Sequence, residues 1–238
     1  MIVTYTESGW EIVTQRGHGL LAAEFCARWK LSDQPKRWVE TLIACAGHDD
    51  AFNEFESQPL LTASGGPKNF NMCAFDAKAS QLLMDMALTK NHFIALLTAR
   101  HIAFTHGSEP KAKSFLSTLR KREKVWMKVA ETTPNELDRA YELLELCDAL
   151  SLLICQNILQ PEKRSLEISN GPSGTTYYVV MEGDRLKVQP WPFEVEEFRV
   201  SYEVRKIAKL TFKTDLEFRK TLRSTYPKRI TLTLTTQL

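Results

Sequence analysis

The sequence has no CxxC pair, no apolar run long enough to cross a bilayer and almost no net charge, and each of these absences removes a class of function. Five cysteines in 238 residues, an odd number without metal-finger spacing, argue against a disulfide scaffold and a thiolate zinc module. Cys26, Cys45, Cys147 and Cys155 fall among apolar residues of predicted helices, where a reduced cysteine acts as a small buried hydrophobe. Lys and Arg number 31 against 29 Asp and Glu, and a net charge of +2 makes no field that would select nucleic acid or an anionic membrane. The first residues lack the basic and apolar regions of a signal peptide, and no later window approaches about 18 consecutive apolar residues. A soluble, cytoplasmic protein is expected, with neither nucleic acid nor membrane as partner. Gly65-Gly66 lacks the Gly-Lys-Ser/Thr ending of a phosphate-binding Walker loop, and Ser151 lacks the flanking glycines of a nucleophile elbow.

What is present begins with 43% hydrophobic residues, enough for the core of one large domain or of a domain with a small appendage. Ile2 to Tyr5 is a short β-branched and aromatic run, expected as an edge strand. Between Thr14 and Trp29, His18, Leu21, Ala22, Phe25 and Trp29 share one face at helical spacing. A second helix is expected after Ser32-Asp33, with Pro35 in its first turn, ending at His48-Asp49-Asp50. Residues 58 to 71, rich in Gly and Pro, read as a loop able to lie over a cleft. Helical patterns follow from Lys78 to Thr105, with a break near Lys90-Asn91, and from Pro110 to Val129. A last apolar helix is capped at Thr133-Pro134, and on it Tyr141, Leu144, Asp148, Ser151, Leu152 and Cys155 lie on one side.

After Pro161 the pattern turns to strands: Thr175 to Val180, Leu186 to Val188, Phe198 to Val204, Lys209 to Phe212 and Ile230 to Thr235, with a short helix at Asp215 to Leu222. Trp191, Pro192 and Phe193 form a compact apolar corner suited to packing. The expected fold class is α+β: a mainly helical bundle over residues 1–165, with a small C-terminal antiparallel β region over 166–238 packed upon it.

Four polar residues interrupt apolar helical faces: His18, His48, Asp49 and Asp148. Buried without partners, such groups would cost about 1–3 kcal/mol each when neutral and more when charged. Two imidazoles and two carboxylates make a nitrogen and oxygen set suited to one or two divalent ions of Mn, Fe, Zn or Co rather than to thiophilic metals. Asp50 is open to three roles, binding a second metal, orienting His48 or capping the helix end, with orientation of His48 favoured. His92 and His106, at helix ends, are expected on the surface.

The order His, His-Asp, Asp on separate helices resembles the HD-domain superfamily of metal-dependent phosphohydrolases. More closely, the chain resembles an uncharacterised bacterial family with an HD-like helical domain and a small C-terminal β region. The stretches that carry this are Gln15-Arg16-Gly17-His18-Gly19-Leu20-Leu21-Ala22, Ala46-Gly47-His48-Asp49-Asp50, Gly65-Gly66-Pro67-Lys68-Asn69-Phe70, Asp148-Ala149-Leu150-Ser151-Leu152 and Pro190-Trp191-Pro192-Phe193. The resemblance implies an HD-like bundle in which His18, His48, Asp49 and Asp148 bind metal. It also implies that His101 is a further ligand or a phosphate-contacting residue, acting with Asp49 in catalysis. Arg100, Lys68 and Asn69 are then the candidate substrate contacts.

The function expected on this reading is hydrolysis of an unidentified small phosphate ester. Two alternatives stand beside it: a di-iron enzyme that activates oxygen on a related helical framework, and a non-catalytic scaffold whose site is structural.

Overall fold

Five of the seven α-helices among the described residues begin where the sequence supplies a side chain able to accept an unpaired N–H. The protein is described here from a computed structural model covering residues 1–56, 59–160 and 162–238. Its strands β1 (Ile2–Thr6) and β2 (Gly9–Val13) form a hairpin, and the Thr14 side chain then accepts from Gly17 N to open α1 (Gln15–Cys26). A short 3-10 turn at Leu31–Asp33 precedes α2 (Trp38–Ala46), so that helix starts later than the cap at Ser32-Asp33 predicts. Asp76 caps α3 (Ala77–Leu88), and Asn91 caps α4 (His92–His106) at the expected break. The charged α5 (Lys113–Val129) leads to α6 (Pro134–Cys155), opened by a capping box between Thr133 and Glu136.

The rest of the chain is β3 (Leu166–Asn170), β4 (Thr176–Glu182), β5 (Arg185–Gln189), β6 (Glu197–Ile207), α7 (Asp215–Ser224) and β7 (Lys228–Thr235). These strands do not form a small separate region. All seven described strands join one curled mixed sheet in the order β1-β2-β6-β7-β5-β4-β3. The N-terminal hairpin enters through β2 and β6, antiparallel with Trp10 opposite Ile207 and Ile12 opposite Arg205, while β5 and β7 run parallel. The expected mainly helical α+β bundle with a small antiparallel β tail is therefore corrected to an α/β arrangement that holds, among the described residues, seven α-helices and a seven-stranded sheet. The cause is non-local pairing, which a run of β-branched residues does not reveal.

Lys209 to Phe212, expected as a strand, is not one. Phe212 instead donates its backbone N–H to Gly65 O and holds the Gly-Pro loop, whose Gly65 sits at φ +82 where glycine is favoured. Gln58, at the start of that expected loop, and Pro161, at the expected change of character, lie outside the described residues.

The core is continuous between helices and sheet. α1 packs against α2 and α6, and its crossing with α2 is so close that a Cβ on Gly19 would lie 2.8 Å from Ala46 O. Phe193, from the predicted apolar corner, is buried against Trp29 and Phe198 with ring centroids at 6.2 and 4.8 Å. A smaller cluster around Ile12, Ile207, Phe212, Phe218 and Leu222 fastens α7 to the hairpin side of the sheet. Among the described residues no helix is long and apolar enough to cross a membrane.

Candidate metal centre

The three helices α1, α2 and α6 meet where their polar residues face inward. His18 shares the buried stripe of α1 with Leu21, Ala22 and Phe25. Gly47 ends α2, and the chain turns there to present His48 and Asp49. Asp148 lies mid-way along α6, and His101 comes from α4. All of these are buried except Asp49, whose side chain keeps 17% of its exposure.

The ligand-type atoms converge. His18 Nε2 is 2.9 Å from Asp49 Oδ2, His48 Nε2 is 3.1 Å from Asp148 Oδ1 and 3.8 Å from Asp49 Oδ2, and His18 Nδ1 is 3.6 Å from Asp148 Oδ1. The rings of His48 and His101 stand with centroids 4.8 Å apart. Two overlapping groups result, His18/His48/Asp49 and His48/His101/Asp148, each with its donor atoms within 4.8 Å of one another.

The outer hydrogen bonds fix which nitrogen faces inward. His48 Nδ1 donates to Cys45 O at 2.7 Å, leaving Nε2 toward the carboxylates. Ser151 Oγ donates to Asp148 O at 2.9 Å, so it accepts from His18 Nδ1 at 3.1 Å, and His18 Nε2 is turned inward as well. Gln15 Nε2 donates to Asp49 Oδ2 at 2.7 Å. Despite their closeness, His48 Nε2 and Asp148 Oδ1 make no hydrogen bond of acceptable geometry, and His101 Nδ1 has no partner either. Buried polar atoms are seldom left so, and a cation between them would satisfy all three.

The electrostatics match a cation site. Burial works against charge on His48, but the Asp148 and Asp49 carboxylates outweigh it and push its pKa up to about 10. Asp49 and Asp148 resist burial and lie below the ordinary carboxylate range, chiefly through the field of His48. His101 goes the other way, down to about 4, because burial and then the neighbouring His48 both oppose its protonation. The carboxylates thus hold a proton on His48 where a metal would otherwise supply positive charge.

A cavity of about 320 Å³ opens beside the cluster, lined by Gln15, Asp49, His101, His106, Glu109 and Asp148 among others, with Phe70 and Asn71 of the Gly-Pro loop on its wall. The expected substrate residues are placed elsewhere. Arg100 pairs with Glu123 at 2.8 Å and Asp138 at 3.2 Å and lines a different cavity against α5. Lys68 lines a third cavity with Met1 and Glu54, and Asn69 accepts from Val3 N and Phe70 N as a loop cap. Asp50 faces Lys90 and Arg16 at about 4 Å rather than the cluster.

Gln15 and Glu109 were not singled out by sequence reasoning, and His106, expected on the surface, is instead half-buried on the cavity wall, held by Glu109. For Gln15 a signal existed, since it precedes His18 by one helical turn on the same face. The fold also brings Cys26, Cys45 and Cys147, all buried, within 4.8 Å of one another on the same three helices.

A family model described as "Protein of unknown function (DUF3891)" matches residues 1–209. The chain belongs to this family. The DUF3891 match spans every helix that contributes to the cluster, from α1 to α6, and reaches past β6. No curated protein and no solved structure matches the chain.

Proposed function

We propose that this chain is a metal-dependent hydrolase of a small phosphate ester, with His18, His48, Asp49 and Asp148 as ligands of a divalent ion and His101 as a further ligand. The observation that carries the reading is the pair His48 Nε2 and Asp148 Oδ1, buried 3.1 Å apart with no hydrogen bond to join them. The order of His18, His48-Asp49 and Asp148 along the chain supports an HD-type ligand set. Imidazole nitrogen with carboxylate oxygen suits Mn, Fe, Co or Zn. A divalent ion bound there would lower the pKa of a water and polarise a phosphoryl oxygen. The chain's own residues hold the geometry: Ser151 fixes the His18 ring, Cys45 O fixes the His48 ring, and Gln15 keeps the Asp49 carboxylate turned inward.

The test is metal analysis of protein purified without chelator, repeated on His48→Ala and Asp148→Ala, with folding checked by circular dichroism. Near-stoichiometric metal, lost in both folded variants, is the expected result. Wild-type protein that takes up no Mn, Fe, Co or Zn on reconstitution would overturn it. A ferric spectrum instead would redirect the chemistry to oxygen activation.

A further inference from the structure

The cavity beside the cluster has an unusual charge balance for a phosphate site: three carboxylates, Asp49, Asp148 and Glu109, line it, and no Lys or Arg does. Among the described residues, the only lining side chains able to become cations for an anionic substrate are His101 and His106. His101 is engaged within the group formed with His48 and Asp148. That leaves His106, the last residue of α4.

His106 is held as a working side chain is held. Its Nδ1 lies 2.7 Å from Glu109 Oε1, and Glu109 Oε2 in turn accepts Phe75 N at 2.7 Å, so both carboxylate oxygens are committed. The Phe75 ring meets the imidazole edge-on at a centroid distance of 5.4 Å. The Glu109 carboxylate lies below its ordinary pKa range through the Phe75 N–H and then His106, and as an acceptor it fixes a proton on Nδ1. Nε2 has no protein partner among the described residues. Donation from Nε2 to an anion uses the doubly protonated ring, whose charge the Glu109 carboxylate balances.

We propose that His106, fixed by Glu109, is the residue that binds the anionic group of the substrate, donating from Nε2 to a phosphoryl oxygen. This rests on the hydrolytic reading above and narrows it. One histidine donor facing an anion among three carboxylates suits a single phosphate group, and disfavours the higher negative charge of pyrophosphate or a nucleoside triphosphate.

The probe is inorganic phosphate, titrated calorimetrically into the full chain loaded with Mn, as wild type, His106→Ala, Glu109→Gln and His92→Ala, with metal content measured on each sample. His106→Ala should weaken phosphate binding about tenfold, the factor one charge-assisted hydrogen bond is worth. Glu109→Gln should weaken it by less, and His92→Ala, at the opposite end of α4, should leave it unchanged. Metal content should be equal in all four. Equal phosphate affinity for wild type and His106→Ala, no phosphate binding by Mn-loaded wild type, or tighter binding of pyrophosphate than of phosphate would each overturn the proposal. If the chain takes up no metal, the hydrolytic reading fails by that measurement alone. The role of His106 is then decided by the same phosphate comparison on the metal-free chain.

Discussion

His48 Nε2 and Asp148 Oδ1 stand 3.1 Å apart, buried on elements far apart in sequence, and no hydrogen bond of acceptable geometry joins them. His48 is oriented from behind, its Nδ1 donating to Cys45 O. Such an arrangement needs positive charge between the two groups, and either a proton or a metal ion can provide it. That alternative has consequences that can be measured.

The metal-free chain should be most stable near pH 6.5 and lose stability on both sides. His48 is raised from 6.5 to about 10, so its contribution is complete below 6.5 and lost as pH climbs toward 10. His101 is lowered from 6.5 to about 4, so its contribution is complete above 6.5 and lost as pH falls toward 4. Each limb is worth on the order of a few kcal/mol, at about 1.4 kcal/mol per pH unit. Saturating Mn should flatten the alkaline limb, because the ion replaces the His48 proton. Thermal midpoints measured against pH, with and without Mn, decide it. An alkaline limb indifferent to metal would place the ion elsewhere.

Ser151→Ala removes the acceptor for His18 Nδ1, and Gln15→Ala removes the donor to Asp49 Oδ2. Each should lower metal affinity by about 10–100-fold, the usual effect of losing a group that orients a ligand. Ser151→Ala should also cost about 1–3 kcal/mol, since it leaves a buried donor unpaired. Competition with a chelator, alongside denaturant unfolding, separates the two effects.

Gly19→Ala should destabilise the junction of α1 and α2. The added Cβ would sit 2.8 Å from the backbone Ala46 O, and neither helix backbone can yield without shifting His18 or His48. A loss of about 1–3 kcal/mol is expected from such overpacking. Unfolding in urea reads it directly, and a wild-type midpoint would mean that the helices have room to part.

Residues 1–165 expressed alone should fail to fold cooperatively, and the full chain should unfold in one transition. The fragment would lack β6, the partner of β2, and would expose Trp29 and Phe25, which Phe193 covers. Calorimetry of the full chain and a solubility assay of the fragment test the pair. A folded, metal-binding fragment would show instead that the helices stand without the sheet.

Much of the local structure was legible. Helical periodicity from Thr14, the break near Asn91 and the cap and first-turn proline at Thr133-Pro134 mark where α1, α4 and α6 begin. His18, His48, Asp49 and Asp148 could be picked out because they interrupt apolar faces, and His101 through the family resemblance, and the fold brings all five to one place. Lys68, Asn69 and Arg100 could not be placed so, since a polar residue beside a motif carries no information about which way it points. Arg100 turns to Glu123 and Asp138 on the far side of α4.

By itself the sequence determined most of the helices, the cap of α6 and which polar groups interrupt apolar faces, because these follow from periodicity and from the cost of unpaired polar atoms over a few residues. Only the tertiary structure decided that the first hairpin and the last strands share one sheet, and that His106 and Glu109 join the cavity wall. Strand partners and cavity walls are set by contacts between residues far apart in the chain, where side-chain period has no reach.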